Sequence, residues 1–220
     1  MRILEAARWA PTAHNMQNYE IIIIDDRELL REIGKIKSKT SEDFIRENYQ
    51  QLSRSKKELR RKKVGILGTS FPPLWRDPAR LDEAVRETKP EPLKETIRGS
   101  QTILIVVYDS RKRAPASKGD SLGILSLGCV MENMWLMAQS LGISFHVMSV
   151  FSSSGVHKQL RKLLSIPTHT KIAFAVRLGY PMPTSARYLR VRRDVEDFTH
   201  DNRFGNRRRM MQNHRSKSGL

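Results

Sequence analysis

The chain has 220 residues, of which 39% are hydrophobic, 29% charged and 7% aromatic, enough apolar material for one sizeable core. That composition excludes a collagen-like chain, a disulfide scaffold and wholesale disorder. The single cysteine, Cys129, excludes an internal disulfide or a multi-cysteine zinc site and fits a reducing compartment. Forty Lys and Arg against 23 Asp and Glu leave a net charge of +17, which attracts anions: nucleic acid, anionic membrane or phosphate-bearing small molecules.

Met1 to Thr12 alternates charged and apolar residues and has no continuous apolar run, so it is not a signal peptide. Residues 2–9 read as a short amphipathic helix with Ile3, Leu4, Ala7 and Trp9 inward, stopped by Pro11. Thr12 to Asn18 is polar and turn-rich. Tyr19 to Ile24 (YEIIII) is a β-branched run closed by Asp25 and Asp26, hence a buried strand. Residues 27–36 read as a helix. A long helix is expected from Thr40 to Lys63, capped by Ser41, with Glu42 and Asp43 at the positive end of its dipole. Gly65 to Pro78 is a loop, and residues 79–98 are polar, helical or irregular.

Thr102 to Tyr108 (TILIVVY) is the second strand, followed by a polar loop over 111–120. Residues 121–141 (SLGILSLGCVMENMWLMAQSL) are apolar nearly all round, so a central helix buried on most faces is expected rather than a membrane span. Ser144 to Val150 reads as a strand and Val156 to Leu164 as a helix. Lys171 to Leu178 is the fourth strand, ended by Gly179-Tyr180-Pro181. Strands and helices in this order argue α/β or α+β. From about Asn206 the basic tail lacks periodicity and is expected to be disordered.

No G-x-S-x-G, P-loop, G-x-G-x-x-G or H-E-x-x-H occurs, and the six histidines are scattered, so no metal site is expected. Three segments say more: AARWAPTAHNMQNYE over 6–20, LGCVMENMWLMAQSLGISFHVMSVFS in the middle, and VHKQLRKLLSIPTHTKIAFAVRLGYP followed by RYLRVRRDVEDFTHDNRFG. In this order they resemble the nitroreductase family of flavin enzymes. The A-A-R-W-A-P-[ST]-x-x-N-x-Q element and the strand ending in L-G-Y-P are specific in combination.

The resemblance implies an α+β fold of three α/β/α layers, with a mostly antiparallel central sheet around a buried central helix. It implies one domain over residues 1–205, with 40–100 a helical and loop excursion within it and 206–220 the tail. It implies a cytoplasmic homodimer holding FMN at its interface. NADH or NADPH would reduce the flavin, and a nitroaromatic, quinone or similar small-molecule acceptor would then take the electrons in a ping-pong cycle. No specific nucleic acid is expected as a partner.

In that pattern the loop at Pro11, Thr12, Ala13 and Asn15 reaches a flavin bound mainly by the other subunit, with Gln17 in support. The strand end at Met148, Ser149 and Val150 lies against the isoalloxazine, a backbone N–H there facing the flavin N5. Arg190, Arg192 and Arg193 hold the FMN phosphate. The residue types suit these roles. An arginine fork matches phosphate oxygens. Asn15 can donate and accept at a pyrimidine edge, and preorganised backbone donors stabilise developing charge. Flavin itself carries the redox step, so no catalytic acid–base residue is expected.

Members of the family begin with a further segment whose Arg-x-Ser-x-Arg-like stretch grips the same phosphate, and this chain is expected to start after it. A second reading follows: a nitroreductase-like fold with impaired catalysis that acts as a basic binding or interaction protein. Plainer roles also exist for individual residues. Asn15 and Gln17 would cap a turn, and His146 would simply pack. Cys129 would be an inert core residue. Trp135 with Met131, Met134 and Met137 would be core or dimer-interface material, and Phe71 and Trp75 would gate substrate or pack a loop. Eight basic against two acidic residues over 46–63, and ten against four over 187–220, carry most of the excess charge. A basic tail would bind nucleic acid only weakly and with strong salt dependence.

Overall fold

The apolar alternation of four segments sets the architecture. In the computed structural model, which describes residues 1–52, 57, 61, 78–181 and 194–207, these segments form one antiparallel sheet. Its strands are β1 (Tyr19–Ile24), β4 (Thr102–Asp109), β5 (Ser144–Val147) and β6 (Thr170–Gly179), in the order β1-β4-β6-β5. Tyr19 pairs with Tyr108 and Ile24 with Ile103, while Thr102 pairs with Leu178 and Asp109 with Thr170. A register shift between Val106 and Val107 accommodates one extra residue in β6.

Strand periodicity sends alternate side chains to opposite faces, and β4 is buried on both. Ile103, Ile105, Val107 and Ala175 pack on one face with α2 (Arg27–Lys35), α6 (Ser154–Leu163) and the Leu93–Ile97 segment. Leu104, Val106, Tyr108 and Val176 pack on the other with α1 (Arg2–Arg8) and α5 (Ser121–Ser140). Helices on both faces of an antiparallel sheet make the three-layer α+β fold expected from the sequence. A two-residue pairing of β2 (Lys37–Ser38) with β3 (Glu91–Pro92) ties α2 to the segment before β4.

The long helix departs from its sequence reading. Only one face of α5 is buried, carrying Gly123, Ser126, Leu127, Val130, Met134 and Ala138. The opposite face leaves Leu125 67%, Leu136 59%, Ile124 51% and Trp135 43% exposed. A single sheet covers one side of a cylinder, so the apolar residues on the far side have no cover among the described residues. Its 20 residues and mean hydropathy of 1.3 would suit a membrane span by length and composition, but its packing on the sheet is that of a core helix.

The chain divides into two compact units, Met1–Lys39 with Lys89–Ser185, and Thr40–Thr88 with Ala186–Leu220. The first holds the sheet. In the second, α3 (Glu42–Leu52) and α4 (Leu81–Glu87) bury Ile45 against Ala84, with Leu81 and Val85 alongside. Ser41 caps α3 as expected, its Oγ accepting from Phe44 N at 3.2 Å. Arg46 bridges Glu42 at 2.6 Å and Asp82 at 2.8 Å. The remainder of the long helix expected to Lys63, together with Phe71, Trp75 and the tail beyond Arg207, lies outside the described residues apart from Lys57 and Arg61.

Candidate functional site

Pro11 stops α1, and the chain then turns tightly before entering β1. Asn15 N donates to Thr12 O at 2.9 Å and Met16 N to Ala13 O at 3.1 Å. Gln17 N donates to Thr12 Oγ1 at 3.2 Å. The turn requires left-handed backbone at three residues that are not glycine, His14 (φ 52°), Asn15 (φ 51°) and Gln17 (φ 45°). Such backbone is uncommon away from functional or capping positions. The Gln17 Nε2 donates to Asn15 Oδ1 at 3.0 Å, which orients the Asn15 carboxamide and leaves its Nδ2 without a partner among the described residues.

This loop forms one wall of a cleft of about 490 Å³ lined by Arg8, Trp9, Ala10, Pro11, Thr12, Asn15 and Gln17. Four of the five loop residues singled out from the sequence, Pro11, Thr12, Asn15 and Gln17, meet there. Ala13 is fixed from behind, its N–H donating to Ser126 Oγ at 2.9 Å. The rim residues Arg8 and Trp9 were not anticipated. Glu5 Oε1 accepts from Arg8 Nη2 at 2.6 Å and from Trp9 Nε1 at 2.9 Å. These bonds depress the Glu5 carboxyl, the Trp9 bond most and the Arg8 bond next. They also hold the indole outward: Trp9, expected on the inner face of α1, is 72% exposed because its N–H reaches Glu5 on the outer side.

The strand-end residues stand elsewhere. The strand is shorter than expected: after Val147 the Met148 N–H still donates to Ala175 O at 2.9 Å, and residues 149–152 then turn as a 3-10 helix. Burial of Phe151 drives that turn, since its ring is fully enclosed in the core on the α2 and α6 side. Met148 is buried in the same core and Val150 packs against it. Ser149 is exposed. With the Met148 donor spent on Ala175, the Ser149 and Val150 N–H groups have no backbone partner among the described residues and are the donors that could serve a ligand. They open the short helix, where no intrahelical carbonyl takes them.

The structure therefore does not join the two groups within one chain. The loop leads into β1 and the strand end follows β5, the two opposite edges of the sheet. Three strand spacings of about 4.8 Å separate the two edges, roughly 14 Å across the sheet, and the registers offset the loop and the strand end further along it. Their anchors also lie on opposite faces, Ala10 among the α1 and α5 side chains and Met148 among those of α2 and α6. The expected phosphate-binding Arg190, Arg192 and Arg193 lie outside the described residues. Among the described residues no group of three His, Cys, Asp or Glu side chains is placed to hold a metal.

His146 stands two residues before Met148 on β5. Its Nδ1 accepts from Arg177 Nε at 2.8 Å, and Arg177 Nη1 also donates to Thr96 O at 2.8 Å. Burial, and then the Arg177 charge, push its pKa below the ordinary histidine value. Its side chain is exposed on the edge strand rather than packed in a core, and it acts as a hydrogen-bond acceptor that orients Arg177.

The family model described as Nitroreductase family matches residues 1–180. No curated protein matches the chain. Among solved structures the chain is similar to an FMN-dependent nitroreductase from Clostridium difficile R20291. That match has 17% identity and a TM-score of 0.51, covering 92% of this chain and 85% of the other. It is similar to a candidate NADH dehydrogenase/NAD(P)H nitroreductase from Parabacteroides distasonis ATCC 8503, at 17% identity and TM-score 0.51, over 92% and 83%. A candidate NADH oxidase from Clostridium acetobutylicum matches at 16% identity and TM-score 0.50, over 92% and 86%. At these identities the likeness is one of fold.

Proposed function

We propose that this chain, which belongs to the nitroreductase family, is an FMN-dependent oxidoreductase working as a homodimer. It takes electrons from NADH or NADPH and delivers them to a nitroaromatic, quinone or similar small acceptor in ping-pong order. The FMN-dependent nitroreductase among its structural neighbours supports the cofactor, and the NADH-named neighbours support the donor. The single cysteine suits a reducing, cytoplasmic setting.

The observation that carries the reading is the split site. One chain offers a braced polar loop at one sheet edge and a strand end with two open backbone donors at the other. The chain also carries on α5 an apolar helix face exposed among the described residues, Leu122, Ile124, Leu125, Trp135 and Leu136. A second copy seated on that face would remove apolar surface from water and set one copy's loop against the other copy's strand end.

The residues present suit FMN by the chemistry of their donor sets. When bound, FMN supplies the hydride and electron-transfer chemistry, so the protein needs no acid–base triad. Asn15 Nδ2, oriented by Gln17, is a donor for a ring-edge carbonyl. Pro11 and Thr12 line the cleft and would border the ring edge, with Ala13 bracing them from behind. The Ser149 and Val150 N–H groups are preorganised donors for charge gathering on the ring edge. Arg190, Arg192 and Arg193 are the cations for the phosphate, and arginine keeps its charge and its bidentate fork throughout.

The test is optical. The purified protein is titrated with FMN and then given NADPH without oxygen. A saturable change in flavin absorbance followed by bleaching of the 450 nm region is expected, that wavelength being about where oxidised flavin absorbs. A protein that leaves the FMN spectrum unperturbed and retains no flavin after the free FMN is removed overturns the reading.

A further inference from the structure

Among the described residues, one hydroxyl holds the loop at the cleft from behind. Its own hydrogen bonds, Asn15 to Thr12, Met16 to Ala13 and Gln17 to Thr12, close it on itself and do not fix where it hangs. Left-handed backbone at three non-glycine residues persists only where the surroundings over-determine it. Among the described residues, the hydrogen bond that ties residues 12–17 to another element runs from Ala13 N to Ser126 Oγ, 2.9 Å long and 113 positions apart in the chain.

Ser126 is 4% exposed and its hydroxyl works in both directions. It donates to Leu122 O at 2.7 Å, one turn back along α5, so its lone pairs are aimed at the loop. The same helix is shaped to the loop's exit one turn earlier. A Cβ at Gly123 would stand 2.8 Å from Asn18 Nδ2, and Asn18 is itself 3% exposed. Asn18 O in turn accepts from Asp109 N at 3.1 Å, which starts the β1–β4 pairing. The first turns of α5 thus meet both ends of the segment: Ser126 holds Ala13 by a hydrogen bond, and Gly123 leaves room for the buried Asn18 side chain.

We propose that Ser126 is a positioning residue: its hydroxyl sets the place and shape of the Thr12–Gln17 loop and so the affinity of the cleft for FMN. The second half of that statement rests on the function proposed above; the first does not.

Four proteins are compared: the wild type, Ser126→Ala, Ser126→Thr, and Ser140→Ala as a control on the same helix, whose hydroxyl bonds only within α5. Circular dichroism establishes that each folds. Amide exchange is then read without FMN, and the FMN dissociation constant and bound-flavin spectrum are read separately. In Ser126→Ala the Ala13 amide is expected to exchange about tenfold faster, and FMN to bind about tenfold more weakly with a shifted visible band. Ser126→Thr, which keeps the hydroxyl, recovers both, and Ser140→Ala changes neither. Should Ser126→Ala not fold, Ser126→Cys, isosteric but a weak acceptor, carries the same expectation.

Unchanged exchange at Ala13 in Ser126→Ala overturns the proposal. Faster exchange with unchanged FMN affinity overturns its link to the cofactor. Faster exchange in a protein whose wild type binds no FMN supports the positioning of the loop and instead overturns the flavin reading.

Discussion

The two halves of the candidate site are built on opposite principles. The strand end at Met148–Val150 is fixed by burial: Met148 is 3% and Phe151 0% exposed, and a backbone bond to Ala175 sets the height of the chain. The loop at Pro11–Gln17 is fixed by hydrogen bonds and strained backbone, with most of its side chains in the cleft or in solvent. Geometry held by a core is cheap to keep and hard to alter. Geometry held by one hydroxyl and three left-handed residues is easily altered, and it is where relatives on the same fold can change what they bind.

The largest expected effect breaks the core half. Phe151→Ala should cost about 3–5 kcal/mol of stability, seen as a lowered urea midpoint, because the enclosed ring leaves a cavity between the sheet and α6. A loss below about 1 kcal/mol would mean that the strand end is not fixed by the core. The matching change in the loop, Asn15→Ala, should cost only about 1 kcal/mol, the strain of an alanine in left-handed backbone. It should weaken FMN binding about tenfold through loss of the carboxamide donor. Denaturant unfolding and flavin titration on one preparation separate the two numbers.

The smallest effect is a pH dependence. Burial first, and the Arg177 charge second, lower the His146 pKa; burial and then Arg161 lower that of His157. The unfolded chain therefore binds more protons than the native one as pH falls below 6.5, the ordinary value. Stability is complete above that pH and declines below it, levelling off once the native pKa values are passed. The melting temperature should drop between pH 7.5 and 5.5, and His146→Gln should reduce the drop. A melting temperature independent of pH over that window would contradict the assignment.

Most of the fold was legible because its strands are runs rich in β-branched and apolar residues, Tyr19–Ile24 and Thr102–Asp109 above all. The sheet order was not, since pairing across distant segments leaves no local mark. The exposed face of α5 was misread because an apolar residue reads alike whether a sheet or a second copy covers it. The loop residues Pro11, Thr12, Asn15 and Gln17 were found through their family pattern, not their physics. No local rule places His14 or Gln17 in left-handed backbone. Ser126 went unremarked, though a serine within an apolar helix, bonded back to the carbonyl four residues earlier, is a visible signal. Arg8 and Trp9 were quoted but read as the end of a helix, and only the cleft shows them at its rim.

The comparison of the two half-sites rests on one claim: they meet only when two copies of the chain associate through α5. Leu125, 67% exposed on that face, is the residue to change. Leu125→Asp sets a charge against the partner's apolar surface and touches neither half-site. Light scattering should show a dimer for the wild type and a monomer for the variant, with circular dichroism unchanged. Flavin titration of the same samples should then show FMN binding in the dimer and none in the monomer. A folded monomer that binds FMN as tightly as the wild type would contradict the account, since one chain would then hold the cofactor alone.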